Sequence, residues 1–231
     1  SKLKMASIAK IALVKASKEN NLQEVSLLLS QKTDPNGATG HGISPLLVAC
    51  TNGNVEIVRE LIKAKAKIGV KKKNGQTTLL CAAASGSVET VQCILEAKAD
   101  LTHTDNQNWS AYSFACHNGY NNILSLLVKA KLPSLKNLNS LLRLAAQVDQ
   151  ANCCQYLLDL KANPNDQDLD NFTASMYAIE NRCNIKTLRT LLNAKAHIGV
   201  DNFDIARLSC PIRSVKHAKH TVIIERKPRI R

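Results

Sequence analysis

Ser44-Pro-Leu-Leu-Val-Ala-Cys50 and Thr77-Thr-Leu-Leu-Cys-Ala-Ala83 are one phrase written twice, 33 residues apart. Working outward from Ala49 and Ala82, the same alanine recurs as Ala16, Ala115, Ala145 and Ala178, at successive intervals of 33, 33, 33, 30 and 33 residues. The neighbourhoods recur with it. Three residues earlier stand Leu13, Leu46, Leu79, Tyr112, Leu142 and Ser175, and four later Asn20, Gly53, Gly86, Gly119, Asp149 and Arg182. Nine later come Val25, Val58, Val91, Leu124 and Cys154, and twelve later Leu28, Leu61, Ile94, Leu127 and Leu157; one inserted residue moves the last pair to Leu191–Leu192.

Each copy reads as two short helices around a polar break. The first runs through the repeated alanine; the second is apolar at helical spacing, as in Val55-Glu-Ile-Val-Arg-Glu-Leu-Ile62. Asn54 with Glu56, and Ser87 with Glu89, put a cap and an acid at its start, where the helix dipole favours both. Turn-rich stretches such as Lys72-Lys-Asn-Gly75 and Asp168-Leu-Asp-Asn171 separate the copies. One helix pair cannot bury its apolar face alone, so the copies must stack into a solenoid with a thin core. The alanine is small because helices approach closely there.

The unit resembles the ankyrin repeat. The family's T-P-L-H-x-A-A signature is matched by the two quoted phrases, and more weakly by Ser110-Ala-Tyr-Ser-Phe-Ala-Cys116 and Thr173-Ala-Ser-Met-Tyr-Ala-Ile179. The glycine before it appears as Gly42 and Gly75, with Asn108 and Asn171 in later copies; the central glycine is Gly53, Gly86 and Gly119. The resemblance spans roughly Lys10 to Val200. The expected fold is all-α: an ankyrin-repeat solenoid of about six helix-pair repeats, with short β-hairpin fingers and a C-terminal capping segment. We expect an N-terminal capping helix and first repeat in 1–36, repeats two to six in 37–200, and a degenerate seventh repeat or cap with a basic tail in 201–231.

Departures from the family are specific. Where the family closes its second helix with a left-handed glycine, this chain has Lys32, Lys65, Lys98, Lys131, Lys161 and Lys195. That conformation costs a non-glycine residue about 1–2 kcal/mol. The lysines read either as cations at helix C-termini or as a linear site for an acidic partner. The fifth copy is three residues short, so Leu135 to Asn139 should lack a full finger, with Pro133 marking a changed connection. Leu3, Met5, Ile8 and Ile11 have helical spacing, as if the first helix starts early. Asp201-Asn-Phe-Asp-Ile-Ala206 resembles a shortened seventh copy, and Val222 to Ile224 suits a short strand or burial against the last repeat.

The chain has 231 residues, 45% of them apolar, and a formal charge of +13. These values suit a folded chain rather than a disordered one. The longest apolar run, Ile8 to Val14, is cut by Lys10, so no membrane span is expected, and the opening has no signal-peptide series. Residues 207–231 hold eight Lys/Arg against the single acid Glu225. This tail reads as a solubilising cap or as a contact for nucleic acid, an acidic protein or an anionic surface.

Eight cysteines show no C-x-x-C spacing and no zinc pattern, which favours free thiols in a reducing compartment. Cys50, Cys116, Cys153 and Cys154 are expected to be small core residues. Cys116 and His117 are adjacent on a helix and face different ways, and His217 and His220 belong to the tail. No phosphate loop or nucleophile elbow is present. We therefore expect no enzyme, no catalytic residue, no cofactor and no metal.

The resemblance implies a binding surface on the concave side, made of fingers and the exposed turn of each first helix. Carried over by position, it comprises Thr51, Asn52, Ser85, His117 and Asn118 on the helices, with Glu180 and Asn181 in the last copy. From the fingers it takes Ile43, Gln76, Trp109 and Phe172, and at the tips His41, Lys72, Lys73, Asn106, Gln107 and Asp170. Trp109, the sole tryptophan, is the sharpest candidate, since tryptophan is enriched among interface hot spots; the alternative is that it packs on a neighbouring finger. The leading function is a non-catalytic protein-interaction module, monomeric, intracellular and cytoplasmic. One alternative is a polyanion binder acting through the lysine ladder and Arg226, Lys227, Arg229 and Arg231 of the tail, although the first 108 residues contain no aromatic. Another is the targeting domain of a larger enzyme or of a host-directed bacterial effector, the latter acting in the host cytosol.

Overall fold

In a computed structural model, backbone is described for residues 2–37, 42–198, 215–216 and 221–222, and side chains for 7–37 and 42–198. The chain divides into two compact units, residues 1–132 and 133–231. The first holds four helix pairs: α1 (Lys2–Lys18) with α2 (Leu22–Ser30), α3 (Pro45–Asn52) with α4 (Val55–Lys63), α5 (Thr78–Ser85) with α6 (Val88–Glu96), and α7 (Ala111–His117) with α8 (Asn121–Ala130). The second holds α9 (Leu135–Gln147) with α10 (Ala151–Asp159) and α11 (Ala174–Glu180) with α12 (Ile185–Asn193). It also contains an antiparallel pair of two-residue strands, β1 (Val215–Lys216) and β2 (Thr221–Val222). Val222 thus lies in a strand as expected, while Ile224, residues 201–206 and His41 lie outside the described residues.

Four repeats open with the same local chemistry, and all six close their first helix alike. Ser44, Thr77, Ser110 and Thr173 cap the first helices, their hydroxyls accepting the N–H of Leu47, Leu80, Ser113 and Met176. The first helix then ends at a left-handed residue four past the repeated alanine. All six adopt it: Asn20, Gly53, Gly86, Gly119, Asp149 and Arg182, with φ between 55° and 85°. In five repeats the alanine carbonyl accepts the N–H five residues on, from Asn21, Asn54, Tyr120, Gln150 and Cys183. That bond closes the helix in the Schellman manner. In the sixth repeat α12 starts one residue late, so Cys183 is the insertion.

All six repeated alanines are fully buried. In the first unit α1, α3, α5 and α7 pack side by side in one layer, with α2, α4, α6 and α8 in the other; in the second, α9 packs on α11 and α10 on α12. The core between the layers takes Leu13, Leu46, Leu79, Leu142, Val58, Ile94 and Leu127. Cys50, Cys116, Cys153 and Cys154 join it at 0% exposure. Burial pushes the Cys50 and Cys154 thiols well up, which keeps them neutral.

Two expectations need correction. The fingers contain no strands among the described residues, only an isolated bridge between Lys71 and Thr77. They are tight turns, closed by Lys72 N–H to Gln76 O at 2.9 Å, Asp105 N–H to Trp109 O at 3.0 Å and Asp168 N–H to Phe172 O at 3.1 Å. Three residues lie between the paired groups, and among the described residues the pairing continues only to the Lys71–Thr77 bridge. The lysine series is also broken. Lys32, Lys65, Lys98, Lys161 and Lys195 are left-handed with φ between 60° and 70°, but Lys131 is extended at φ −159°. The shortened fifth repeat leaves only Leu132 and Pro133 between Lys131 and the cap Ser134, so the chain is drawn straight into α9. That helix has 13 residues and occupies the place of the missing finger.

The two backbone states predict opposite responses to glycine. Lys65→Gly should raise stability by about 0.5–1 kcal/mol, since the left-handed cost exceeds glycine's extra chain entropy. Lys131→Gly should lower it by about 0.5–1 kcal/mol, having no strain to relieve. Thermal unfolding of both variants checks this; shifts of equal sign would contradict it.

Candidate functional site

The candidate surface is built from three positions of each repeat: six before the alanine, one before it, and two after it. In the fourth repeat these are Trp109, Phe114 and His117. They meet: the indole lies 5.1 Å from the Phe114 ring, tilted by 54°, and 5.0 Å from the His117 ring, edge-on at 67°. Phe114 and His117 share a face of α7 because they are three apart. Trp109 therefore packs on the first helix of its own repeat, and it remains half-buried with His117 exposed.

Its finger is preset by Asp105, which is 8% exposed. The Asp105 carboxylate accepts the N–H of both Gln107 and Trp109 at 2.9 Å, so the backbone delivering the indole is locked by an Asx turn. The adjacent finger is laced to it. Asn106 N–H donates to Asn74 O at 3.0 Å, and its side-chain amide donates to Lys73 O at 3.2 Å. Gly75 allows this approach, with φ 84° and no room for a Cβ, which would stand 2.9 Å from the Asn106 backbone N.

The other expected residues divide into two groups. Gln107 and Lys73 are exposed at finger tips, and Gln76, Ile43 and Lys72 are half-buried; Lys72 Nζ donates to Thr51 Oγ1 at 3.1 Å. Thr51, Ser85 and Asn52 have side-chain groups already hydrogen-bonded within the repeats. Thr51 donates to Leu47 O and Ser85 to Ala82 O. Asn52 donates to Lys18 O and Asn20 Oδ1, both at 3.1 Å. Asn118 caps α7. Arg226, Lys227, Arg229 and Arg231 lie outside the described residues, while Lys32, Lys65, Lys98, Lys131, Lys161 and Lys195 are all exposed. A cleft of about 270 Å³ in the first unit is lined by Lys71, Thr77, Thr78, Lys98, Asp100 and His103, among others.

The second unit repeats the arrangement with different chemistry. Phe172 stacks on Tyr177 with centroids 5.2 Å apart, and Asp168 accepts the N–H of Phe172 and Asp170 as Asp105 does. The Tyr177 hydroxyl donates to Asp168 at 2.7 Å, and Arg143, 13% exposed, pairs with Asp166 and lies 4.0 Å from Asp168. Burial acts to raise the Asp168 pKa, but the Tyr177 hydroxyl, two N–H groups and Arg143 outweigh it and hold the carboxyl below its ordinary range. Its bond to Asp168 pushes Tyr177 up to about 12. At the tip Leu169 stands fully exposed. The sequence reading missed Asp105, Phe114, Arg143, Leu169 and Tyr177. The signal was present in the shared pattern Asp105-Asn-Gln-Asn-Trp109 and Asp168-Leu-Asp-Asn-Phe172.

The Tyr177–Asp168 bond should be visible in the pH dependence of stability. A carboxyl with a depressed folded pKa stabilises above its unfolded value of about 3.9 and loses that contribution as pH falls through the folded value. The raised tyrosine stabilises below about pH 10 and loses its contribution as pH climbs towards about 12. Tyr177→Phe keeps the ring stacking and should cost about 1 kcal/mol at pH 7. Urea unfolding at pH 7 and pH 3 should show that difference shrink in acid; a constant difference would contradict it.

Among the described residues, no group of three or more metal-binding side chains converges, and no helix is long and apolar enough to cross a membrane. Over residues 13–105, 46–137 and 113–202 the chain matches the family model for ankyrin repeats (3 copies), and it belongs to the ankyrin repeat family. Ankyrin repeats are generally non-catalytic modules that bind other proteins. A similar solved structure is the human ASB11 ankyrin repeat domain, with a TM-score of 0.76, 23% identity, and coverage of 87% of this chain and 92% of that one. That likeness is one of fold. No curated protein matches the chain by sequence.

Proposed function

We propose that this chain is a non-catalytic interaction module that binds a partner protein through its fingers and the exposed turns of its first helices. The observation carrying this reading is Trp109, held in place by Asp105, Phe114 and His117 yet still partly exposed. A rigid, preset aromatic loses little conformational entropy on binding, which is what an interface anchor needs. In the second unit Phe172 and the exposed Leu169 form a second candidate contact.

Affinity capture from cell lysate tests the reading, comparing wild type with a Trp109→Ala/Phe172→Ala variant, each with and without nuclease. A protein retained after nuclease and lost by the variant supports it. Capture that disappears with nuclease and ignores the variant favours a polyanion contact through the lysines instead.

A further inference from the structure

Charge in the second, third and fourth repeats is sorted by face. From Gly42 to Lys131 the acids are Glu56, Glu60, Glu89, Glu96, Asp100 and Asp105. The four glutamates lie on α4 and α6, and α3, α5 and α7 carry no acid. Both aspartates have bonds of their own: Asp100 accepts from Thr102, and Asp105 from the backbone beneath Trp109. Hydrogen bonding does not cancel their charge, and Asp100 lines the same cleft as Lys71, but Lys71, Lys72 and Lys73 outnumber the two aspartates around these fingers. Lys71 Nζ lies 3.4 Å from His103 Nδ1, whose Nε2 is 2.9 Å from Gly75 O. The lysine finger is laced to the Trp109 finger through Asn106, so the cations stand one repeat, about 10 Å, from the indole.

We propose that this surface takes an acidic peptide segment bearing one large apolar or aromatic side chain, with carboxylates meeting the lysine finger and the anchor meeting Trp109. This rests on the reading of the finger face as the partner-binding face. A peptide fits better than a nucleic acid. The positions equivalent to Trp109 in the two preceding repeats are Ile43 and Gln76, so there is no succession of platforms for stacking bases. Exposed ion pairs are individually weak and screened by salt, so the lysines set selectivity and encounter rate while the anchor sets residence time.

A random 12-residue peptide display library panned on the full chain tests this, followed by titration of the enriched peptides as fluorescein conjugates. Peptides with several Asp/Glu around one Trp, Phe or Leu are expected. Their affinity should fall about tenfold or more with Lys71→Glu/Lys73→Glu, with Trp109→Ala, and on raising salt to 0.5 M. Circular dichroism melting confirms the fold of each variant, and Trp109→Leu substitutes if Trp109→Ala unfolds. Enriched peptides that need Trp109 but lack acids overturn the acidic-partner proposal and leave the interaction face standing. Peptides indifferent to both variants overturn both. Failure to enrich any peptide also overturns the proposal, as does tighter, Lys71- and Lys73-dependent binding of a 20-nucleotide deoxythymidine strand.

Discussion

Trp109→Ala is expected to weaken binding of the captured partner by about 30-fold or more, equivalent to about 2 kcal/mol, the threshold of an interface hot spot. The side chain is half-buried, and its removal leaves Asp105, Phe114 and His117 in place. The fold should therefore lose little; a drop in melting temperature of a few degrees would accompany the loss of affinity. Isothermal titration calorimetry at two salt concentrations separates the contributions, because the anchor's share should hardly change with salt. Unchanged affinity in a folded Trp109→Ala protein would remove the central contact from the proposed face.

The second large effect is in the core. Ala82→Leu should destabilise the first unit by at least about 1–3 kcal/mol, the usual cost of overpacking. Ala82 is fully buried on α5, between α3 and α7, where three added heavy atoms have no space. Ala84, two residues on in the same helix, is only half-buried. Ala84→Leu should change stability by about 0.5 kcal/mol or less. Urea unfolding of the pair isolates the volume effect from helix propensity, since the substitution is the same. Equal effects at both positions would mean that close helix approach is not why the alanine recurs.

The repeat made most of the fold legible. The recurrence of alanine, the cap five residues before it and the left-handed residue four after it describe local backbone states, and local sequence decides those. All six residues four past the alanine adopt the left-handed form, including Asp149 and Arg182, which no glycine rule covers. The short fifth copy announced its missing finger, and α9 fills the gap. Lys131 escaped the pattern because its conformation depends on how far away the next helix begins, not on its own identity. The candidate site was only half legible. Trp109 and Phe172 stood out as large side chains at exposed positions. Their supports, Phe114 and Tyr177, looked like ordinary first-helix residues, since ring contact five residues apart exists only once the finger folds back.

The sequence by itself therefore determined the period, the two-helix unit, the small residue at the helix contact, the family and the cationic finger of the third repeat. The stacked structure alone decided which polar candidates were already hydrogen-bonded, as with Asn52, Ser85 and Asn106. It also decided which carboxylates remained on the finger face and where the indole rests. Helix caps and turns are set by residues within a few positions of one another. Face-specific charge and aromatic contacts depend on groups that folding brings together, 32 residues apart for Lys71 and His103 and 33 for Asn106 and Lys73.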